Sequence, residues 1–168
     1  MKLLLVAPRD GYFPMGLSYI AAAVKEAGHK VDCCYTDAPE GLAAIVSRGY
    51  DFVGTGGMCV HYAQLETVTT AARRAGVKVI VGGNIITSEP ELMSRALGVD
   101  YAVIGQGEET IVELLRCLER SDDLNSVDGI AYFAAGEFRR TRPRTPRRPL
   151  DTLPWPDYEG FGLAGSES

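Results

Sequence analysis

Runs of glycine follow three short apolar segments of the sequence, and their residue types suit ligand binding more than catalysis. The runs are Gly54-Thr55-Gly56-Gly57, Gly82-Gly83-Asn84 and Gly105-Gln106-Gly107-Glu108. Glycine lets a ligand come close to the backbone and leaves N–H groups free to bind amide or phosphate oxygens. One such run can serve only the geometry of a turn. Three of them brought to one place favour a large, flat ligand.

The loop before the first helical window, residues 8–16, is aromatic and apolar. It has neither the GxGxxG pattern of dinucleotide-binding folds nor the GxxxxGK[ST] pattern of P-loops, so neither kind of nucleotide site is expected. Its apolar members, with one residue just beyond it, are Tyr12, Phe13, Pro14, Met15 and Leu17. These side chains could form a wall against the face of a macrocycle, or the loop could fold onto the domain's own core.

Side chains that usually carry catalysis are sparse. His29 and His61 are the only histidines, and neither has a carboxylate at helical spacing to orient it. We expect His29 at the surface, in the turn before the second strand. His61 follows the first glycine run, so it could contact or ligate a metal, or it could cap the next helix. Glu108 and Glu109 begin a helical window, where carboxylates complement the helix dipole. No self-contained active site is predicted.

Composition and charge narrow the class of protein. The 168 residues are 46% hydrophobic, enough for one domain with a core. The formal net charge of -5 opposes affinity for nucleic acid or anionic membranes. The four cysteines lack CxxC or CxxxCxxC spacing and indicate reduced core thiols. No apolar run reaches the roughly 20 residues of a membrane span. We therefore expect a cytoplasmic protein with small-molecule or protein partners.

The candidate residues need a scaffold that brings strand ends together. Apolar β-rich runs alternate with amphipathic windows, a pattern typical of a parallel sheet covered by helices on both faces. Strands are predicted at 2–7, 30–35, 52–55, 78–81 and 101–104, and helices at 16–27, 39–48, 64–75, 90–97 and 108–118. The sequence thus predicts an α/β fold with a doubly wound, mainly parallel five-stranded sheet, Rossmann-like and in flavodoxin-type order. Ligands bind beyond the carboxyl ends of such strands.

The chain changes character after Ser121. Residues 129–133 and 137–140 flank a glycine-containing turn and predict a C-terminal β-hairpin appendage. The arginine- and proline-rich run that follows is expected to be a solvated linker, with a phosphate-contacting strip as the alternative. The predicted domains are 1–120, the Rossmann-like domain; 121–149, the hairpin and Arg/Pro-rich linker; and 150–168, an extended tail.

Five stretches, by their order and spacing, resemble one known family. They are residues 14–22 (PMGLSYIAA), 51–54 (DFVG), 79–83 (VIVGG), 103–110 (VIGQGEET) and 150–158 (LDTLPWPDY). Together they resemble the cobalamin-binding N-terminal domain of cobalamin-dependent radical S-adenosylmethionine enzymes, over nearly the whole chain. The resemblance implies that cobalamin lies at the carboxyl edge of the sheet, with its nucleotide tail running between strands.

The resemblance and the loop positions together imply a set of cofactor-binding residues from four loops. They are Phe13, Pro14, Met15, Gly16, Leu17, Thr55, Gly56, Gly57, Met58, Gly82, Gly83, Asn84, Gly105, Gln106, Gly107 and Glu108. No residue is assigned as catalytic and none as a metal ligand, so any metal bound by the protein would be the cobalt of the cofactor.

Two departures from related proteins limit what the resemblance implies. In the cobalamin domains of methionine synthase and the mutases, a DxHxxG motif supplies a histidine ligand to cobalt, but Gly11 and Phe13 occupy its Asp and His positions here. At the S-x-L motif of those domains, this chain has Gly56 and Met58. The resemblance therefore implies base-off cobalamin without that histidine. The CxxxCxxC cluster motif is also absent, so no [4Fe-4S] cluster is expected in this chain.

The function implied is that of a cofactor carrier. The chain would bind cobalamin for a radical S-adenosylmethionine enzyme, a methyltransferase for preference, whose catalytic domain acts in cis or in trans. S-adenosylmethionine and the [4Fe-4S] cluster would belong to a full-length parent and not to this chain, so whether the chain is itself an enzyme stays open. The alternative is a Rossmann-like docking or sensor domain that holds no cofactor.

Overall fold

Strands and helices alternate in the computed structural model as the apolar pattern predicts. The structure describes residues 1–37, 39–146 and 153–162. The strands are β1 (Lys2–Ala7), β2 (Lys30–Tyr35), β3 (Phe52–Gly56), β4 (Lys78–Gly82), β5 (Tyr101–Val103), β6 (Ile130–Ala134) and β7 (Glu137–Arg140). The helices are α1 (Met15–Glu26), α2 (Pro39–Val46), α3 (Tyr62–Arg74), α4 (Asn84–Ser88), α5 (Pro90–Leu97) and α6 (Glu108–Arg120). Short 3₁₀ turns span Cys59–His61 and Leu124–Ser126.

The strand order confirms the predicted fold class. The sheet runs β2-β1-β3-β4-β5-β6-β7, and the first five strands are parallel. Its first part is the flavodoxin-type order. The carboxyl ends of the parallel strands therefore meet at one side of the sheet, here called the carboxyl edge. Gly56 at the end of β3 lies opposite Gly82 at the end of β4, so two of the glycine runs are direct neighbours there.

The predicted hairpin is present, and it extends the main sheet to seven strands. β6 pairs antiparallel with β5, with Tyr101 opposite Tyr132, and β7 pairs antiparallel with β6. Without this pairing β5 would be an edge strand with unpaired backbone groups, which a sheet this size covers or pairs. The division of the chain into domains at 120 and 149 stays a prediction.

The arginine-rich run is held against the domain where the structure describes it. Arg142 pairs with Asp128 at 3.0 Å. The side chain of Arg144 is only 13% exposed; its Nε donates to Thr110 Oγ1 at 2.7 Å, and its guanidinium also pairs with Glu113 on α6. This part therefore differs from a solvated linker because α6 offers it carboxylates. Arg147 and Arg148 lie outside the described residues.

Helices cover both faces of the sheet and create two apolar clusters. We call the side that packs against α1 and α6 the pocket face, and the side that packs against α2, α3, α4 and α5 the filled face. Side chains alternate between the faces along each strand, so Leu3 and Leu5 of β1 lie on the pocket face while Leu4 and Val6 lie on the filled face. Gly28 stops α1 at φ +88°, as predicted for its C-terminal glycine.

The cysteines are free thiols. Cys117 is buried and Cys33 and Cys34 are half-buried, but Cys59 is exposed, so the prediction of a core thiol is wrong at that position. Burial raises the pKa of Cys33 to about 12 and that of Cys34 to about 11. These two thiols are therefore protonated and unreactive at neutral pH. None of the helices that the structure describes is long and apolar enough to cross a membrane.

Candidate functional site

The four predicted loops meet around one cavity at the carboxyl edge. Its volume is about 610 Å³, in the range of roughly 300–1,000 Å³ that ligand sites occupy. All of the predicted site residues line it: Phe13, Pro14, Met15, Gly16, Leu17, Thr55, Gly56, Gly57, Met58, Gly82, Gly83, Asn84, Gly105, Gln106, Gly107 and Glu108. The topology rule for parallel sheets thus located the cavity before any coordinates were at hand.

Strand glycines create a slot on the pocket face, inside the mouth of the cavity. Gly54, Gly56 and Gly82 alternate with residues of the filled face, so all three turn toward α1 and α6. A Cβ atom added at Gly54 would lie 2.7 Å from Leu5 Cδ2, and one at Gly56 would lie 2.8 Å from the carbonyl oxygen of Gly82. Bare backbone therefore forms the wall here, as it must for a ligand to enter between the sheet and the helices.

The deep part of the slot is apolar, and sequence reasoning missed it. The side chains that line it come from strands β1, β4 and β5 and from helices α1 and α6: Leu5, Ile20, Ile80, Val103 and Ile111. The signal was available, because the period of two in the strands places Leu5 and Ile80 on the same face as the glycines. A ligand would reach this region with an apolar or aromatic group.

Close backbone contact joins the β3 and β4 loops. Gly83 has φ +84°, and a Cβ added there would lie 2.7 Å from the backbone nitrogen of Gly57. Only glycine meets both conditions without strain. The N–H of Ile85 donates to the carbonyl of Gly57 at 3.1 Å, which fixes the start of α4 against the same loop. Gly83 is therefore required by the fold itself, whether or not it contacts a ligand.

Hydrogen bonds also brace the other two loops. Thr55 donates its hydroxyl to the carbonyl of Val6 at 2.7 Å and so ties the end of β3 to β1. The backbone N–H of Gly105, after β5, donates to Thr87 Oγ1 of α4 at 3.0 Å. In the first loop, the N–H of Arg9 donates to Gln64 Oε1 at 2.7 Å. The lining of the cavity is thus held in shape by the protein alone.

An ion pair supports the first loop from outside the cavity. The guanidinium of Arg9 donates from Nε and Nη2 to the two carboxylate oxygens of Asp37, at 2.8 and 2.7 Å. The same guanidinium lies over the ring of Tyr35, 4.0 Å from its centroid. The hydrogen bond from Arg9 lowers the pKa of Asp37 below its ordinary value. The pair is exposed, so its contribution is to loop geometry more than to stability.

His61 lies in the cavity wall with both ring nitrogens in hydrogen bonds. Its Nε2 is 3.0 Å from Asp10 Oδ2 in the first loop. Its Nδ1 accepts the backbone N–H of Met58 at 3.2 Å. Of the two roles left open by the sequence, the structure shows the ring bracing the turn before α3. Asp10 was missed, because nothing in the spacing of residues 10 and 61 indicates that they meet.

The last described segment, residues 153–162, folds back onto the first loop. The ring of Phe13 stacks on Tyr158 with centroids 5.5 Å apart and meets the edge of Phe161 at 6.4 Å. Asp157 anchors the segment to α1 through an ion pair with Lys25 at 2.5 Å. Phe13 is therefore both a cavity residue and a core residue of the tail, which reconciles the two roles that the sequence allowed for this loop.

The rim of the cavity is exposed and apolar. Tyr12 is 81% exposed and Met58 is 55% exposed, and Met15 and Val60 are also exposed. Within the described residues, no group of three or more His, Cys, Asp or Glu side chains is arranged to hold a metal ion. The site therefore has the character of an apolar binding cavity with a wide mouth.

Comparison with protein families and curated proteins gives one family and two relatives. The B12 binding domain model matches residues 1–115. An uncharacterized methyltransferase of Pyrococcus horikoshii is 30% identical over 95% of this chain and 38% of its own length. The anaerobic magnesium-protoporphyrin IX monomethyl ester cyclase of Synechocystis is 28% identical over 86% of this chain and 31% of its own length. The chain thus spans well under half of either relative.

Solved structures with the same fold include two radical S-adenosylmethionine enzymes. The methyltransferase TsrM of Kitasatospora setae, with cobalamin and a [4Fe-4S] cluster bound, superposes with a TM-score of 0.73 at 20% identity, over 87% of this chain and 30% of that one. OxsB with aqua-cobalamin and S-adenosylmethionine bound gives a TM-score of 0.73 at 16% identity, over 94% of this chain and 24% of that one. At these identities the likeness is one of fold.

Proposed function

Because the chain belongs to the B12 binding domain family, we propose that the cavity at its carboxyl edge binds cobalamin. The observation that carries the proposal is the slot on the pocket face, where Gly54, Gly56 and Gly82 leave the backbone bare above an apolar floor. The cofactor as a whole is larger than the cavity. Its nucleotide would occupy the slot, and the corrin would lie across the exposed rim formed in part by Tyr12 and Met58.

The residues present fit the group by shape and by polarity. The slot is narrow, apolar and preformed, which suits an aromatic nucleotide base. The glycine loops expose backbone at the mouth, where the amide side chains of a corrin could hydrogen-bond. The cofactor would supply the cobalt chemistry of group transfer when bound. The residues of this chain bind it, orient it and shield its nucleotide from water.

We further propose that cobalamin is held base-off. With the nucleotide base in the slot, the base cannot also reach the cobalt of the same molecule. The first loop has Gly11 and Phe13 where the DxHxxG motif of other cobalamin domains has Asp and His. The first loop therefore offers no imidazole to the lower face of the corrin, and the ring of Phe13 is engaged with Tyr158 and Phe161.

The wider role that we propose is that of cofactor carrier for a radical S-adenosylmethionine catalytic domain, in cis or in trans. S-adenosylmethionine and the [4Fe-4S] cluster would bind that domain. The names of the relatives support methyl transfer as the reaction class, and the chain spans 38% and 31% of the two curated relatives. A docking or sensor domain without cofactor is the competing role, and the exposed rim is the feature that would serve it.

The proposal is tested with a pair of glycine variants on two helices. Gly16 of α1 lines the cavity and Gly41 of α2 does not, and a Cβ added at either position meets no heavy atom within 4 Å. Gly16→Leu fills the cavity without a clash, so we expect hydroxocobalamin binding to weaken by more than tenfold. Gly41→Leu should bind as the wild-type chain does. Binding is measured by absorption titration, which also reports the shift to the base-off spectrum.

The outcomes separate the two roles. Saturable binding that Gly16→Leu abolishes and Gly41→Leu spares supports a cobalamin carrier. A wild-type chain that binds no cobalamin at high micromolar concentration contradicts the carrier role and favours a docking domain. Equal binding by both variants would mean that the ligand does not enter this cavity.

A further inference from the structure

Asp10 and His61 face each other across the wall of the cavity, one in the loop after β1 and one in the turn before α3. We infer that these two residues form a bridge that sets the shape of the cavity mouth, and that His61 is a positioning residue and not a ligand to cobalt. The inference rests on the proposed function for its ligand. The bridge itself is a property of the protein without cofactor.

The hydrogen bonds of His61 determine which nitrogen carries the ring proton. Nδ1 accepts the N–H of Met58 at 3.2 Å, so Nδ1 carries no proton. The proton of the neutral ring is then on Nε2, which donates to Asp10 Oδ2 at 3.0 Å. A metal ligand needs a free nitrogen lone pair, and the one lone pair of this ring already accepts a hydrogen bond. Binding to cobalt would cost both contacts.

Burial keeps the ring where it is. His61 is 8% exposed, and its ring packs on Gly57, where an added Cβ would lie 2.5 Å from Nδ1. Gly57 in turn is in backbone contact with Gly83. A ring displaced toward the cavity would leave the Met58 N–H without its acceptor and would lose its support on Gly57. The costs of an unmade buried hydrogen bond are about 1–3 kcal/mol.

The other end of the bridge orders the first loop. Asp10 uses its second oxygen, Oδ1, to accept the backbone N–H of Tyr12 at 3.0 Å. One carboxylate thus joins the segment that carries Tyr12 to the turn that carries Met58. Both side chains are exposed at the rim, on two different loops. The bridge therefore presets the mouth of the cavity, and a preset site binds more tightly because less ordering accompanies binding.

The first test needs no cofactor. A long-range ¹H–¹⁵N correlation spectrum of the chain reports the tautomer of each histidine, and His29→Gln assigns the two sets of signals. We expect His61 as the Nε2–H tautomer in the wild-type chain, and a loss of that preference in Asp10→Asn if the carboxylate holds the proton in place. His61 as the Nδ1–H tautomer, or as an averaged mixture in the wild type, would overturn the bridge.

The second test asks whether His61 ligates cobalt. Cob(II)inamide lacks the nucleotide base, so any nitrogen splitting in its electron paramagnetic resonance spectrum comes from the protein. We expect the bound spectrum to be the same in unlabelled protein and in protein with ¹⁵N-histidine. A three-line splitting that becomes two lines on labelling, and that His61→Ala removes, would establish His61 as a ligand and refute the positioning role.

The third test measures the bridge through cobalamin affinity. Asp10→Ala and His61→Ala should each weaken binding by about tenfold, and the double variant should lose no more than either alone, because residues that act as a unit are not additive. Additive losses would contradict the bridge. A wild-type chain that binds neither cobalamin nor cobinamide contradicts the proposed function alone, since the tautomer measurement still decides whether the bridge exists.

Discussion

The filled face and the pocket face are built from the same strands, and they differ at alternate residues. Toward the filled face, β3 and β4 present Val53, Val79 and Val81, which are completely buried under α2, α3, α4 and α5. Toward the pocket face, the same two strands present Gly54, Gly56 and Gly82. One face is therefore a closed core and the other contains a cavity of about 610 Å³. Glycine at a period of two is sufficient to change a core into a binding slot on one side of a sheet.

The division of labour implies that the filled face carries stability and the pocket face carries binding. Parallel sheets are usually covered and packed on both faces, and a cavity among apolar side chains sacrifices van der Waals contacts. The pocket face compensates at its closed end, where Leu114 and Leu115 of α6 are completely buried. The variants below test whether stability and affinity can be changed one without the other.

The largest effect is expected in the core of the filled face. Leu65 of α3 is completely buried, so Leu65→Ala should lower the free energy of unfolding by about 2–5 kcal/mol, from lost apolar burial and the void left behind. The change is measured by urea denaturation. Cobalamin affinity of the folded protein should be unchanged, because this side chain lies on the other side of the sheet. A loss of affinity in the folded variant would show that the faces are coupled.

Two adjacent glycines at the end of β4 should respond differently to the same change. A Cβ at Gly83 meets the backbone of Gly57 at a φ of +84°, so Gly83→Ala should cost about 1–3 kcal/mol of stability. A Cβ at Gly82 meets its nearest neighbours at an ordinary 3.6 and 3.7 Å. Gly82→Ala should therefore keep its melting temperature and weaken cobalamin binding. Equal stability losses at both positions would argue against the slot as a space left for a ligand.

The smallest effect is expected at the closed end, away from the cavity. Desolvation is the largest cause that lowers the pKa of His29 below its model value of 6.5. The folded protein therefore binds fewer protons at this site than the unfolded chain, so stability falls as the pH drops through 6.5 toward the lower pKa of the folded state. Urea denaturation at pH 7.5 and pH 5.5 should show this loss.

The control for the pH effect is a side chain that does not titrate. His29→Gln should reduce the difference in stability between the two pH values, and cobalamin affinity at pH 7.5 should stay that of the wild-type chain. An unchanged pH dependence in His29→Gln would assign the loss of stability to other groups. The result would then leave the closed end without a role in the comparison of the faces.

Periodicity and topology account for the parts of the protein that sequence reasoning predicted correctly. The alternation of strands and amphipathic helices is a local property, and it predicted the fold class and the order of the parallel strands. The rule that ligands bind at the carboxyl ends of such strands then placed Gly56, Gly82 and Gly105 at one edge. The family match to the B12 binding domain confirms the resemblance that the same motifs suggested.

The predictions that were wrong or incomplete concern contacts between distant segments. His29 was expected at the surface, but it is 9% exposed. Arg144 was expected in a solvated linker, but it packs on α6. The hairpin was expected as an appendage, and β6 joins the main sheet beside β5. Each of these depends on what lies next to the residue in space, which the residue's own neighbourhood in sequence does not specify.

The sequence by itself determined the fold, the edge at which a ligand would bind and the glycines that line it, because strand and helix periods and turn residues act over a few positions. Only the tertiary structure decided that Asp10 meets His61, that Phe13 packs against Tyr158, and that the strand glycines all open onto one face. Such contacts join segments 50 or more residues apart. Their geometry follows from how all the strands and helices pack together, so no single segment encodes it.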